Sequence, residues 1–216
     1  ILYMKQIKNK IDEFGEVFTS TKEVNGMLDI VDGETRRLDS TFLEPACGDG
    51  NFLAEVLDRK LKSIKSKNKI TKLDYQIDIF IVVSSLYGID IQIENVSRCK
   101  ERLLNKVENF YRSNYTEDPE FFEVIKFVLS KNIVLGDALT LKLPSSNTPI
   151  IFSKWSLLSR YKVKRLDYSF KSILNNEELN ALPLFSDLGE LAFIPEPVAE
   201  FELIHFLKIN KNEKKT

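Results

Sequence analysis

The chain has 216 residues, 43% of them apolar and 29% charged, a balance that suits a globular domain with one sizeable core. Its formal net charge of -1 at pH 7 gives no overall pull on polyanions, and two cysteines with a single histidine are too few for a four-ligand zinc site or a disulfide framework. No apolar run reaches the roughly 20 residues that cross a bilayer, and Ile1 to Lys10 lacks a signal-peptide core, so a cytoplasmic protein with neither metal nor membrane contact is expected.

In chain order, Phe14 to Ser20 reads as a loop feeding a helix. Thr19 or Ser20 can cap that helix, Glu23 stands at the capping-box position, and Val24, Met27, Leu28 and Val31 recur at helical spacing until Asp32-Gly33. A strand, Thr41 to Glu44, runs into the Gly-rich turn Pro45-Ala46-Cys47-Gly48-Asp49-Gly50, and a helix follows at once with a stripe of Phe52, Leu53, Val56, Leu57 and Leu61. Asp74 to Leu86 reads as a buried helix leading into a second strand, Tyr87 to Ile91. Glu94 to Tyr111 and Phe121 to Leu129 are amphipathic helices; Asn132 to Asp137 is a third strand and Pro149 to Phe152 a fourth. Beyond Trp155 the periodicity weakens, and Leu182 to Phe206, with three prolines, reads as an irregular arm.

Strands alternating with helices predict an α/β, Rossmann-like fold, a parallel sheet with helices on both faces, over residues 1–155, followed by a basic, irregular C-terminal arm over 156–216. Two basic runs stand out. Arg59 to Lys72 reads as a solvated face; Lys154 to Lys171, interleaved with Trp155, Tyr161 and Tyr168, reads equally as a solvated face or as a surface for phosphates and unstacked bases.

A glycine turn after a strand holds nucleotide-like ligands, and here its details select among them. Dinucleotide folds place a third glycine three residues after the second, where this chain has Leu53. Glu44 at the strand end would also repel a pyrophosphate. A cationic ligand is favoured, and S-adenosylmethionine (SAM) carries a sulfonium and an ammonium. Asp90 after the second strand can accept both ribose hydroxyls with Ile91 against the adenine; Asp137 after the third can accept from the adenine amine, with Ala138 and Leu139 lining the pocket.

With these residues in place, the chain resembles the DNA adenine-N6 methyltransferases of restriction–modification systems. Leu43-Glu44-Pro45-Ala46-Cys47-Gly48-Asp49-Gly50-Asn51-Phe52-Leu53 is similar to their first SAM motif, and Phe14 to Thr19 with Val24 and Met27 is similar to the amino-terminal SAM-contacting motif of one subgroup. Gly88 to Ile91 and Asn132 to Leu139 resemble the second and third motifs, so the resemblance covers about residues 12 to 152. It implies SAM as cofactor, DNA as substrate, and cofactor contacts from Phe18, Thr19, Glu44, Pro45, Ala46, Cys47, Gly48, Gly50, Asn51, Phe52, Asp90, Ile91, Asp137, Ala138 and Leu139.

Those enzymes follow the fourth strand with an Asn/Asp/Ser-Pro-Pro-aromatic loop that accepts the hydrogens of the adenine amine and stacks on the flipped base. At that place stands Phe152-Ser153-Lys154-Trp155, one residue short and without either proline. Three expectations follow. In the first, the chain is a compact methyltransferase in which Ser153 and Trp155 form the adenine clamp. In the second it is a SAM-binding module, regulatory or interacting, whose catalytic loop and DNA reader sit on a partner chain, with Phe185, Phe193, Phe201 and Phe206 as docking anchors. In the third the methyl acceptor is a small molecule.

Overall fold

A computed structural model describes residues 21–65, 71–174 and 196–211. Helices α1 (Thr21–Ile30) and α2 (Asp32–Arg36) lead to strand β1 (Phe42–Glu44). Next come α3 (Asn51–Lys65), α4 (Lys72–Ser84), β2 (Leu86–Asp90), α5 (Ile93–Arg112), α6 (Pro119–Asn132) and β3 (Ile133–Leu135). The order β1-β2-β3 forms one parallel sheet, with Leu43 opposite Tyr87 and Ile89 opposite Val134. The fold is therefore mixed α/β, a three-stranded parallel sheet packed with helices.

Local chemistry explains the helices. Thr71 caps α4 by accepting from the Asp74 amide, and its hydroxyl donates to the Asp74 carboxylate at 2.8 Å, a reciprocal cap. Asp118 caps α6 with Pro119 in the first turn, where a missing N–H costs nothing. Along α5, Val96, Cys99, Leu103, Val107 and Tyr111 recur every three or four residues and are all buried.

The two faces of the parallel sheet have different cover. Phe42, Leu86, Ile133 and Leu135 share one core with the four long helices, α3 to α6. The alternate residues Tyr87, Ile89 and Val134 share a second, smaller core with Ile150, Phe152 and Phe170. Helices on both faces were expected; among the described residues the second face instead carries the start of a β-hairpin, the turn around Leu141 and a helical turn beginning at Phe170. At the β1 edge no further strand pairs among the described residues, and Leu43 is 37% exposed.

The expected fourth strand belongs to a separate sheet. Strand β4 (Ile151–Ser159) pairs antiparallel with β5 (Lys162–Ser169), and β5 also pairs with the short β6 (Ala199–Glu200) and β7 (Ile204–His205). A boundary at residue 155 would cut β4 in half. Of the expected irregular arm, residues 182–195, including Phe185 and Phe193, lie outside the described residues, whereas the described part carries β6 and β7 and buries Phe201 and Phe206. Phe206 packs 5.7 Å from the Phe80 ring, and the Phe201 ring lies 4.0 Å from the Arg165 guanidinium, so both serve the chain's own interior. His205 stacks on Phe206 as an ordinary half-buried side chain.

Part of each basic run is engaged within the protein. Lys60 is 0% exposed and donates to the Leu38 carbonyl at 3.2 Å, the Ser40 carbonyl and Ser85 Oγ at 2.8 Å, which ties α3 to the entries of β1 and β2. Arg59 pairs with Asp29 at 2.6 Å, and Lys72 with Asp118 at 2.9 Å. In the second run Trp155 packs edge-on to Phe80 and Phe127, Tyr168 is buried, and Arg160 and Tyr161 bind Asp74. These rings are engaged with the protein, Trp155 and Tyr161 half-buried and Tyr168 buried. No helix among the described residues is long and apolar enough to cross a membrane.

Candidate ligand site at the parallel strand ends

The turn after β1 is tied to its neighbours by the backbone. The Cys47 amide donates to the Ile89 carbonyl at 2.8 Å, and the Gly50 amide to the Cys47 carbonyl at 2.8 Å. Gly48 and Gly50 adopt positive φ, +52° and +87°, which an L side chain would strain. A Cβ on Gly50 would also stand 2.6 Å from Cys99 Sγ, so α5 closes directly against the turn. The glycine missing at Leu53 has a counterpart on the next strand. A Cβ on Gly88 would meet both Cys47 Sγ and Leu53 Cδ1 at 3.1 Å, so Gly88 provides the room that brings helix and sheet together.

The three acids stand at the carboxyl ends of three adjacent parallel strands, and each makes the same local bond. Glu44 Oε1 accepts from the Ala46 amide at 3.4 Å, Asp90 Oδ1 from the Gln92 amide at 2.8 Å, and Asp137 Oδ1 from the Leu139 amide at 2.8 Å. One oxygen of each carboxylate is thereby fixed. The second oxygen of Asp90 accepts from the Gly48 amide at 2.9 Å, joining the second strand to the turn, and Asn95 supports Oδ1 at 3.3 Å. Glu44 Oε2 accepts no hydrogen bond among the described residues, whereas the Thr140 side chain adds a bond to the Asp137 carboxylate. The Gly136 amide, bound to the Asp90 carbonyl at 2.9 Å, fixes the end of β3 beside β2.

The electrostatics follow from this geometry. Burial pushes the Glu44 carboxyl above the usual range, partly offset by the Ala46 amide; the Leu139 amide, with Thr140, holds Asp137 below it. A hydrogen bond with the Cys99 thiol, together with burial, raises Cys47, so this buried thiol is not poised as a nucleophile. Around the acids the rim is apolar and open: Ile91 is 56% exposed and Leu139 95%. Ala138 packs against the second core, Pro45 and Ala46 are exposed, and Phe52 packs on the helical core behind the turn. Asn51, the first residue of α3, accepts from Arg102 at 3.2 Å. Three carboxylates beside exposed aliphatic side chains suit a cation that also carries a flat apolar ring.

Phe18 and Thr19 lie outside the described residues. Ser153 and Trp155 lie apart from the acids and on no loop. Both are inside β4, Ser153 opposite Asp167 and Trp155 opposite Arg165. Ser153 Oγ donates to Asp167 Oδ1 at 2.6 Å and accepts from Arg165 Nε at 3.0 Å, while Trp155 Nε1 donates to Asn132 at 3.3 Å. An adenine clamp needs exposed acceptors and a free ring face, and these two residues present neither.

Sequence reasoning missed Arg102, which donates to Asp49 Oδ2 at 2.6 Å; a charged residue on the polar face of an amphipathic helix carries no signal of its own. A cleft of about 390 Å³ opens on that outer flank of the turn, lined by Asp49, Arg98, Arg102 and Lys106 among others. None of Glu44, Asp90 or Asp137 lines it, and two of its cations are already paired with carboxylates, so the strand ends are the better candidate site. No family model matches the chain, and no curated protein or solved structure proves similar to it.

Proposed function

We propose that the chain binds SAM at the carboxyl ends of β1, β2 and β3, in a Rossmann-like arrangement, and acts as the donor-binding part of a DNA adenine-N6 methyltransferase of restriction–modification type. The observation that carries this is the repeated arrangement of Glu44, Asp90 and Asp137, each with one oxygen fixed by an amide two residues on. A ligand with an ammonium, a sulfonium, two ribose hydroxyls and an exocyclic amine matches a site of three carboxylates, with Ile91 and Leu139 against its adenine. DNA as the methyl acceptor rests on the motif resemblance.

Isothermal titration tests the donor site. SAM should bind, and Asp137→Ala should weaken it about 10–100-fold, the loss of one charge-assisted hydrogen bond. Absence of SAM binding by the unaltered protein, or equal binding of ATP, would sink the reading.

The acceptor-base loop and DNA reader are assigned to a partner chain. Two observations favour this: Ser153 and Trp155 are consumed inside β4, and β1 has an edge without a strand among the described residues. Methyl transfer from tritiated SAM to mixed-sequence DNA should then need a protein encoded alongside. Label in DNA with this chain alone, lost on Trp155→Ala, would restore the self-sufficient enzyme. No label under either condition, with SAM still bound, would favour the catalytically inactive regulatory or interaction subunit.

A further inference from the structure

The Gly48-Asp49-Gly50 segment holds the two positive-φ glycines of the candidate site. Asp49 lies between two glycines of positive φ whose amides are already bonded, and its side chain adds a further tie. Arg102 holds it. One terminal nitrogen donates to Asp49 Oδ2 at 2.6 Å and the other to Asn51 Oδ1 at 3.2 Å, so a single guanidinium spans the second half of the turn and the first residue of α3. Both members of the ion pair are partly withdrawn from solvent, with side chains 36% and 25% exposed. Farther along the same helices Lys106 pairs with Asp58 at 2.5 Å, which keeps α5 and α3 from sliding past one another.

Helix α5 and the strand that feeds it therefore grip the turn at three points. Asp90 takes the Gly48 amide, Cys99 lies under Gly50, and Arg102 fixes Asp49 and Asn51. Asp90 faces the ligand side of the turn, whereas the 390 Å³ cleft beside Arg102 leaves Glu44, Asp90 and Asp137 outside its lining. The turn is thus clamped between a ligand-side carboxylate and a guanidinium on its outer flank. Arginine suits this place because its fork reaches two acceptors at once, which a lysine ammonium on a flexible stem does not do with the same geometry.

We propose that Arg102 is a positioning residue of the donor site. By holding Asp49 and Asn51 it fixes the course of the Gly48-Asp49-Gly50 turn beside the methionine end of SAM, before any ligand arrives, while the Gly48 and Gly50 amides stay bound to Asp90 and the Cys47 carbonyl. This rests on the SAM reading of the strand-end site and adds to it a residue that touches the turn and not the ligand. Preorganisation of this kind appears as affinity, because ordering the turn on binding would subtract from it.

The test uses Arg102→Gln, Arg102→Lys and the exchanged pair Arg102→Asp with Asp49→Arg, each followed by amide hydrogen exchange without ligand and by titration with SAM. In Arg102→Gln, exchange at residues 48–51 should rise about tenfold or more, with α6 and the β4–β5 hairpin unchanged, and the SAM dissociation constant should rise about tenfold. Arg102→Lys should fall between it and the unaltered protein, and the exchanged pair should recover most of the protection and affinity. Unchanged exchange at 48–51 together with unchanged affinity would overturn the proposal, as would faster exchange spread evenly over the chain, the mark of a purely structural ion pair. If the unaltered protein fails to bind SAM while Arg102→Gln still loosens residues 48–51 alone, the SAM reading falls and with it the donor role, and Arg102 remains only an anchor of the turn.

Discussion

In the parallel sheet Glu44, Asp90 and Asp137 stand at strand ends, each with one carboxylate oxygen fixed by a nearby amide. In the antiparallel sheet Ser153, Arg165 and Asp167 stand in mid-strand, buried, and bind one another. Arg165 donates from Nε to Asp167 Oδ1 and from its terminal nitrogen to Oδ2, both at 2.8 Å, with the rings of Phe201, Trp155 and Phe127 around it. The three acids stand at an open rim of the first sheet, whereas Ser153, Arg165 and Asp167 in the second spend their hydrogen-bonding capacity on one another.

The sharpest way to break this contrast is to remove one member of the buried group. Asp167→Ala would leave the Arg165 guanidinium without its counter-charge among aromatic rings, and urea unfolding should show a loss of about 3–5 kcal/mol. SAM affinity of the molecules that remain folded should not change. A loss in affinity as large as that in stability would mean that the hairpin takes part in the ligand site and that the division between the two sheets is false.

The strand-end site was legible because its signals are local. Glycines with positive φ, an acid at the end of an apolar run and a helix starting at once all lie within a few residues after β1, and an acid again follows an apolar run at Asp90 and Asp137. Three things were not legible for physical reasons. Gly88 replaces the absent glycine at Leu53 across a strand pairing, and Arg102 meets Asp49 only once α5 lies beside α3. The hairpin was obscured because Ser153, Arg165 and Asp167 put polar residues at buried strand positions, so its alternation looks like a surface loop until the partners are known. In the same way Lys60 and Arg59 read as a solvated basic face, although one is buried and the other ion-paired.

Lys60 is the exception within the parallel half, a buried charge far along α3 from the turn, and it offers a second, smaller test. Burial pushes its ammonium down to about 8. The unfolded chain keeps that proton up to about 10.4, so between these values the unfolded state binds more protons and stability rises with pH. The Lys60 contribution should be roughly 2 kcal/mol between pH 8 and 9.5, read as the difference between the unaltered protein and Lys60→Met, because the Cys47 thiol, raised in the folded protein, pulls stability the other way over the same range. Lys60→Met should remove this contribution and leave the Leu38, Ser40 and Ser85 acceptors without their donor, costing about 1–3 kcal/mol. A slope unchanged in Lys60→Met would assign it to another group.

The smallest expected effect separates stability from binding at one residue. Burial raises the Glu44 carboxyl, so from its folded value down to the unfolded value of about 4.3 the folded state binds more protons than the unfolded chain. Without ligand, the Glu44 share of stability should therefore rise as pH falls through that window. SAM binding should do the opposite, because the cationic ligand needs Glu44 ionised and protonation removes the attraction. Asp137, held low by the Leu139 amide, keeps its charge in the folded protein throughout the window and so does not contribute to the binding slope; its effect on stability opposes that of Glu44 and is removed by comparing the unaltered protein with Glu44→Gln. Glu44→Gln should remove the Glu44 share of both curves while leaving the turn intact, since Gln retains an oxygen for the Ala46 amide. If those shares of affinity and stability instead changed in the same direction with pH, Glu44 would be acting on the fold alone, and the strand-end acids would divide into two for the ligand and one for the turn.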